Sequence, residues 1–289
     1  MVGLGNMGGR IARRIRDGGL AIVGYDVDAD QAGRAGVETV PSVETLFGAA
    51  DVVFFSLPDS RVIESVVFAE GGALAACRDG QIVVDLSTAA PSSTIRIQDE
   101  FATRGVRFVD AGISGGAAAA EQGALTIMAG GSEEAVEAVG PILETFASRV
   151  YHMGAPGSGH VAKLLNNFLN GISLAATAEV MVAARKAGLD LHQLLEVLNH
   201  SSGVNFATLN RFPLIVDGDY LEGGLTSNLM AKDVQLYLDL ARQLEMTSLA
   251  GPSCLGVFHL AAALGYGDQI SNRVVDALGD LSGGVRLQD

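Results

Sequence analysis

The sequence predicts an α/β protein: an N-terminal doubly wound parallel sheet followed by a C-terminal all-α domain. Three observations predict it. The first half alternates short apolar runs with longer polar, helix-like segments. The second half carries long 3.6-residue periodicities and no convincing strand. A glycine/proline break, Gly154-Ala-Pro-Gly157, separates the two halves. The expected domains are therefore 1–155 and 156–289.

Strands are expected at Ala21-Ile-Val-Gly-Tyr25, Asp51-Val-Val-Phe-Phe55, Gln81-Ile-Val-Val-Asp85 and Val106-Arg-Phe-Val109. Each is an apolar run rather than an alternation, as in a parallel strand buried on both faces. Leu125-Thr-Ile-Met-Ala129 and Val150-Tyr-His152 read as two more. Helices are expected over about 158–186, 190–198, 226–244 and 248–264. A strand before the first glycine turn is nearly missing, since only Met1 and Val2 precede Gly3. That shortness suggests a truncated chain or a misassigned start codon.

Composition narrows the function. With 48% hydrophobic and 18% charged residues the chain is globular rather than disordered. A formal charge of -14 gives no support to binding nucleic acid or an anionic membrane, which need clustered Lys and Arg. Cys77 and Cys254 lie far apart and form no Cys-x-x-Cys motif, so both are expected as reduced, packed thiols. No signal peptide is visible. The most apolar helical stretch, 168–184, contains Asn170, Ser173, Thr177 and Glu179, which suit a core helix better than a lipid-facing one. A cytoplasmic protein is expected.

The chain opens Met1-Val-Gly3-Leu4-Gly5-Asn6-Met7-Gly8, a Gly-x-Gly-x-x-Gly pattern running into a helix. Gly3 allows the tight turn, Gly5 lets backbone approach a pyrophosphate, and Gly8 lets the helix pack closely on the sheet. The helix N-terminus offers N–H groups to phosphate. Asp26 ends the next strand, 18 residues after Gly8. A dinucleotide fingerprint of the Rossmann type expects an acid about 20 residues on, bonding the ribose hydroxyls. The alternative for Asp26 is a helix N-cap. Asp28 and Asp30 follow and no Arg is adjacent, so a 2′-phosphate would be repelled: NAD is expected over NADP.

Lys163, Asn167 and Asn170 fall at i, i+4 and i+7, one polar stripe on an otherwise apolar helix. One reading is an interhelix network with a snorkelling lysine. The other is catalytic: a desolvated lysine exchanges a proton near neutral pH, and Asn167 holds a substrate oxygen beside it. Ser114-Gly115-Gly116, before a helix-prone alanine run, suits either a carboxylate site or an ordinary N-cap turn.

Together these clusters resemble the β-hydroxyacid dehydrogenase family, which includes 3-hydroxyisobutyrate dehydrogenase and tartronate semialdehyde reductase and is related to 6-phosphogluconate dehydrogenase. The resemblance covers essentially the whole chain. In order, it runs through the glycine fingerprint at 3–8, Leu57-Pro58, Asp85-Leu-Ser87-Thr88, Ser114-Gly-Gly, Gly123-Ala-Leu-Thr-Ile-Met-Ala-Gly130, the Gly-x-x-x-Lys-x-x-Asn-Asn segment at 159–167, and Lys232-Asp233. It implies that Lys163 is the catalytic lysine, that Asn167 binds substrate, and that Ser114, Gly115 and Gly116 hold the substrate carboxylate. Leu57, Pro58 and Thr88 would lie beside the cofactor. Lys232 would reach it from the second domain; by spacing alone Lys232 is equally a solvated helix lysine. Asp233 is read as structural. No metal is expected, because the five histidines show no ligand spacing.

The implied reaction is hydride transfer between NAD and a small 3-hydroxy acid or its semialdehyde. The reductive direction and a non-catalytic NAD-binding sensor are the alternatives. Lys163 argues against an imine reductase, and the chain is short for a 6-phosphogluconate enzyme. Two departures touch the expected substrate pocket: Val204 follows Ser201-Ser202-Gly203 where many relatives carry Arg, and Gly224-Leu225 stands where many carry Phe. The family and the apolar stretch 254–263 together imply a homodimer or homotetramer, although that stretch suits the chain's own core equally well.

Overall fold

The computed structural model describes residues Met1–Gln288; Asp289, the last residue of the expected helical domain, lies outside the described residues. The chain divides into two units. The first is Met1–Lys163 and the second begins at Leu164, so the division falls inside a helix rather than at the break before it.

The first unit runs α1 (Gly8–Asp17), β1 (Val23–Gly24), α2 (Ala29–Arg34), β2 (Glu38–Thr39), α3 (Val43–Ala49), β3 (Val52–Phe55), α4 (Ser60–Phe68), α5 (Ala73–Ala76), β4 (Ile82–Asp85), α6 (Pro91–Ala102), β5 (Arg107–Ser114), α7 (Gly116–Gln122), β6 (Leu125–Gly130), α8 (Glu133–Leu143) and β7 (Ala147–Gly154). The sheet order is β1-β2 in one part and β3-β4-β5-β6-β7 in the other. Val2 joins the parts, bridging Tyr25 and Phe55 in parallel. Two apolar clusters fill the two faces. One holds Leu4, Ile11, Phe54, Val84, Ile127 and Phe146. The other holds Phe47, Val53, Phe55, Val83, Ile97 and Phe101.

The fold class is as expected, with two differences in detail. The β5–β6 pair is antiparallel, with Gly112 opposite Met128 and Ser114 opposite Thr126. The connection spans only 115–124, and a parallel crossover needs a dozen or more residues. The exposed two-residue β2 was not expected, because Glu38-Thr39 carries no apolar run.

The second unit is helical. Helix α9 (Ser158–Lys186) enters it, followed by α10 (Leu191–Asn199), α11 (Phe206–Asn210), α12 (Phe212–Ile215), α13 (Ser227–Gln243), α14 (Gly251–Ala261) and α15 (Val274–Leu281). Its core gathers Leu174, Met181, Phe212, Met230, Val234 and Phe258. Gly171 lets α9 approach closely: a Cβ there would stand 3.2 Å from Met230 Sδ and 3.3 Å from Cys254 Sγ. One turn earlier, Phe168 stacks on Tyr237 with centroids 3.9 Å apart. Cys254, Phe258 and Ala261 are buried, so the apolar stretch 254–263 serves largely as the unit's own core. Burial pushes the Cys254 thiol up to about 12, which makes it a packing group rather than a nucleophile.

Candidate functional site

The glycine loop is built as its spacing predicts. Gly3 has φ +86°, and a Cβ there would stand 2.3 Å from Ser56 O. One on Gly8 would stand 2.0 Å from Gly3 O, while Gly5 faces open space. No side chain caps α1, and its first turn holds no acid. Asn6 and Met7 complete the loop, with Asn6 exposed and its side chain bonded to Arg10.

Asp26 follows β1 and turns back onto this loop. Its Oδ2 accepts from the Leu4 N–H at 2.6 Å and its Oδ1 from the Asp28 N–H at 2.9 Å. The N-cap of α2 is instead Asp28, which accepts from Asp30 N. Asp26 is thus freed from the capping alternative. An open Gly5, an uncapped helix start and an acid at the strand end fit a dinucleotide.

Leu57 and Pro58 follow β3, and Thr88 follows β4. The two loops are tied together, since the Leu57 N–H donates to Ser87 Oγ at 2.9 Å. The Ser87 N–H in turn donates to Asp85 Oδ1 at 3.0 Å. Ser114 ends β5, Gly115 (φ +128°) breaks the strand, and Gly116 opens α7 facing open space.

Lys163 is buried on α9, and its Cβ packs directly against Gly112 of β5: a Cβ on that glycine would stand 2.6 Å away. Asn167 follows one turn later on the same helix face and is also buried. Its Nδ2 donates to Asp233 Oδ2 at 2.6 Å, and its Oδ1 accepts from Asn166 Nδ2 at 3.1 Å. Asp233 is therefore the residue that orients Asn167, a role the sequence reading missed. Its neighbour Lys232 brings Nζ within 3.2 Å of Asp233 Oδ1, a charge contact without hydrogen-bond geometry. The reach of Lys232 to a cofactor rests on the resemblance alone. Asn170 is committed within the second unit, where it accepts from Arg211 Nη2 at 3.0 Å. Burial pushes that guanidinium down to about 10.

The first 154 residues match the family model described as the NAD-binding domain of 6-phosphogluconate dehydrogenase. Residues 157–278 match the one described as NAD-binding of NADP-dependent 3-hydroxyisobutyrate dehydrogenase. A 2-(hydroxymethyl)glutarate dehydrogenase of Eubacterium barkeri is 33% identical across 98% of this chain and 95% of its own length. The chain belongs to the β-hydroxyacid dehydrogenase family. An NAD-dependent L-serine dehydrogenase of Pseudomonas aeruginosa is likewise 33% identical, over 93% of both chains. Among solved β-hydroxyacid dehydrogenases, the Mycobacterium tuberculosis 3-hydroxyisobutyrate dehydrogenase with L-serine superposes with a TM-score of 0.88 at 28% identity, over 96% of this chain and 97% of that one. An imine reductase from a Pseudomonas species shares the fold, with a TM-score of 0.64 at 19% identity. Among the described residues no group of three metal-ligating side chains occurs.

Beneath the loops after β3 and β4 sits a buried acid. Burial pushes the Asp85 carboxyl above its ordinary value of 3.8, against the opposing pull of His160 and of the Ser87 hydrogen bonds. Such a group holds more protons folded than unfolded, so its contribution to stability falls as pH rises above the unfolded value. Asp85→Asn keeps an acceptor for Ser87 and removes the titration. The unfolding free energy of the variant relative to wild type is expected to rise as pH increases above about 4. Denaturant melts across that range check it; a pH-independent difference contradicts the raised carboxyl.

Proposed function

We propose that the chain oxidises a small 3-hydroxy acid of the 3-hydroxyisobutyrate type with NAD, or reduces the matching semialdehyde, with Lys163 carrying the proton. The observation that carries this reading is the buried Lys163–Asn167 pair, one turn apart on α9 with Asn167 fixed by Asp233. Bound NAD supplies a nicotinamide that accepts or returns hydride at the carbinol carbon. Lys163 takes the hydroxyl proton during oxidation and gives it back during reduction. Asn167 steadies the reacting oxygen, and Ser114, Gly115 and Gly116 hold the carboxylate. The same residues serve both directions.

Turnover is tested by NADH formation against 3-hydroxyisobutyrate, glycerate, 3-hydroxypropionate, 4-hydroxybutyrate, serine and threonate, with Lys163→Ala beside wild type. The expected loss in the variant is on the order of 10²–10⁴ in kcat. Full activity without Lys163 removes it from the mechanism. Tight NAD binding with no turnover on any acid favours the sensor reading.

The preference for NAD is supported by Asp26 at the strand end, with Asp28 and Asp30 close behind it. A higher kcat/KM with NAD than with NADP is expected; equal values refute it. We further infer a homodimer or homotetramer. Leu165, Leu169 and Val180 are exposed along one flank of α9, an apolar stripe that a second copy would cover. Light scattering at micromolar concentration should give a multiple of 29.8 kDa, and a monomer contradicts it. The free cysteines suit a reducing, cytoplasmic setting.

A further inference from the structure

The start of α9 is capped by a residue from a different element. In an ordinary capping box two side chains satisfy the N-cap and N3 amides reciprocally. Here one carboxylate does both. Asp110, wholly buried in β5, accepts from the Gly157 N–H through Oδ1 and from the His160 N–H through Oδ2, each at 2.7 Å. Gly157 immediately precedes α9 and His160 is its third residue. The carboxylate also lies at the positive end of the helix dipole.

Around this cap the backbones meet without side chains between them. Gly130 pairs with Asp110 across the β5–β6 ladder. A Cβ on Gly130 would stand 2.6 Å from Asp110 Oδ1 and 2.7 Å from Gly159 N. One on Gly159 would stand 2.4 Å from Asp110 O and 2.5 Å from Met128 O. Two residues along β5 from the cap, Gly112 receives Lys163, which is three residues beyond His160 on α9. The helix therefore sets its own Gly159 on bare ladder at Gly112 and Gly130, and the lysine projects from a backbone fixed at that seat.

A second tie runs through His160. Its imidazole, fully buried, shares a 2.7 Å hydrogen bond between Nδ1 and Thr94 Oγ1, and its Nε2 lies 3.3 Å from Asp85 O. Asp85 is the acid that holds Ser87, which holds Leu57. The helix start is thus joined through one buried polar chain to the loops after β3 and β4.

We propose that Asp110 is a positioning residue, whose carboxylate clamps the first turn of α9 onto the glycine seat of the β5–β6 ladder and so fixes where Lys163 presents its amine. The inference rests on the reading of Lys163 as proton carrier. In Asp110→Asn one oxygen still accepts, while the new amide faces an N–H donor, so the clamp is half lost.

The test compares wild type, Asp110→Asn, Lys163→Ala and the double variant. With the hydroxy acid that wild type turns over best, Asp110→Asn should lose about 10–100-fold in kcat, the scale of a misplaced catalytic group. The KM for NAD should stay within about twofold, and the isotope effect with substrate deuterated at the carbinol carbon should change. The double variant should be no slower than Lys163→Ala, because the clamp acts through the lysine. A purely structural role predicts the reverse: losses that multiply, weakened NAD binding and an unchanged isotope effect. That outcome overturns the proposal.

A second readout needs no turnover. The chain has three lysines, Lys163, Lys186 and Lys232. Trace acetylation with acetic anhydride, read by peptide mass spectrometry, gives the labelling of Lys163 relative to the exposed Lys186. The ratio should shift by more than about twofold in Asp110→Asn, as released local packing exposes the amine. An unchanged ratio overturns the clamp even where wild type oxidises no hydroxy acid, a result that would separately refute the proposed function. If Asp110→Asn does not fold, Gly112→Ala keeps the cap and crowds Lys163 from the strand side. Wild-type kcat and labelling ratio in that variant also overturn the proposal.

Discussion

Both parts of the nucleotide-binding sheet meet at three residues. Val2 donates to Phe54 O at 2.8 Å and accepts from Ser56 N at 2.9 Å, while Met1 accepts from Tyr25 N and Gly3 donates to Tyr25 O, each at 2.9 Å. Alternate residues of one extended segment thus satisfy β1 on one side and β3 on the other, as parallel ladders require. The chain then turns immediately at Gly3. That turn lies at the crevice where strand order reverses, the place where open α/β sheets bind ligands. The glycine loop, the acid after β1 and the loops after β3 and β4 take their places from this seam.

Within each unit, buried polar groups are supplied by partners distant in sequence. Asp26 reaches back 22 residues to Leu4, Ser87 reaches 30 to Leu57, and Asp233 reaches 66 to Asn167. Buried groups of this kind are costly unless satisfied. Each pair therefore rigidifies the element that carries a candidate site residue.

That distance explains what the sequence could and could not reveal. The glycine fingerprint, the buried strand runs and the 29-residue α9 are local patterns, and each was legible from spacing. The antiparallel turn of β6 was legible in principle, because the segment after Ser114 is too short for a crossover. The edge strand β2 was not, because two exposed residues leave no hydrophobic signature. Lys163 and Asn167 announced themselves as polar residues on an apolar helix. Asp233 sat in plain view beside Lys232 but could be read only as structural, since its partner lies on another helix. Asp110 opens a recognisable motif, yet nothing nearby in the chain indicates that it caps α9.

The double duty of Asp26 bears on redesign of cofactor preference. Changing the acid after β1 is an obvious route to a phosphorylated dinucleotide. In this chain that residue is also the hydrogen-bond acceptor for Leu4 in the glycine loop and for Asp28 at the start of the next helix. Replacing it with arginine would introduce a cation and delete both acceptors at once, leaving the glycine loop without its support. A cofactor contact at Asp26 would be inseparable from this scaffolding. A successful exchange would need a neighbouring oxygen to take over the Leu4 amide before the new charge could be used.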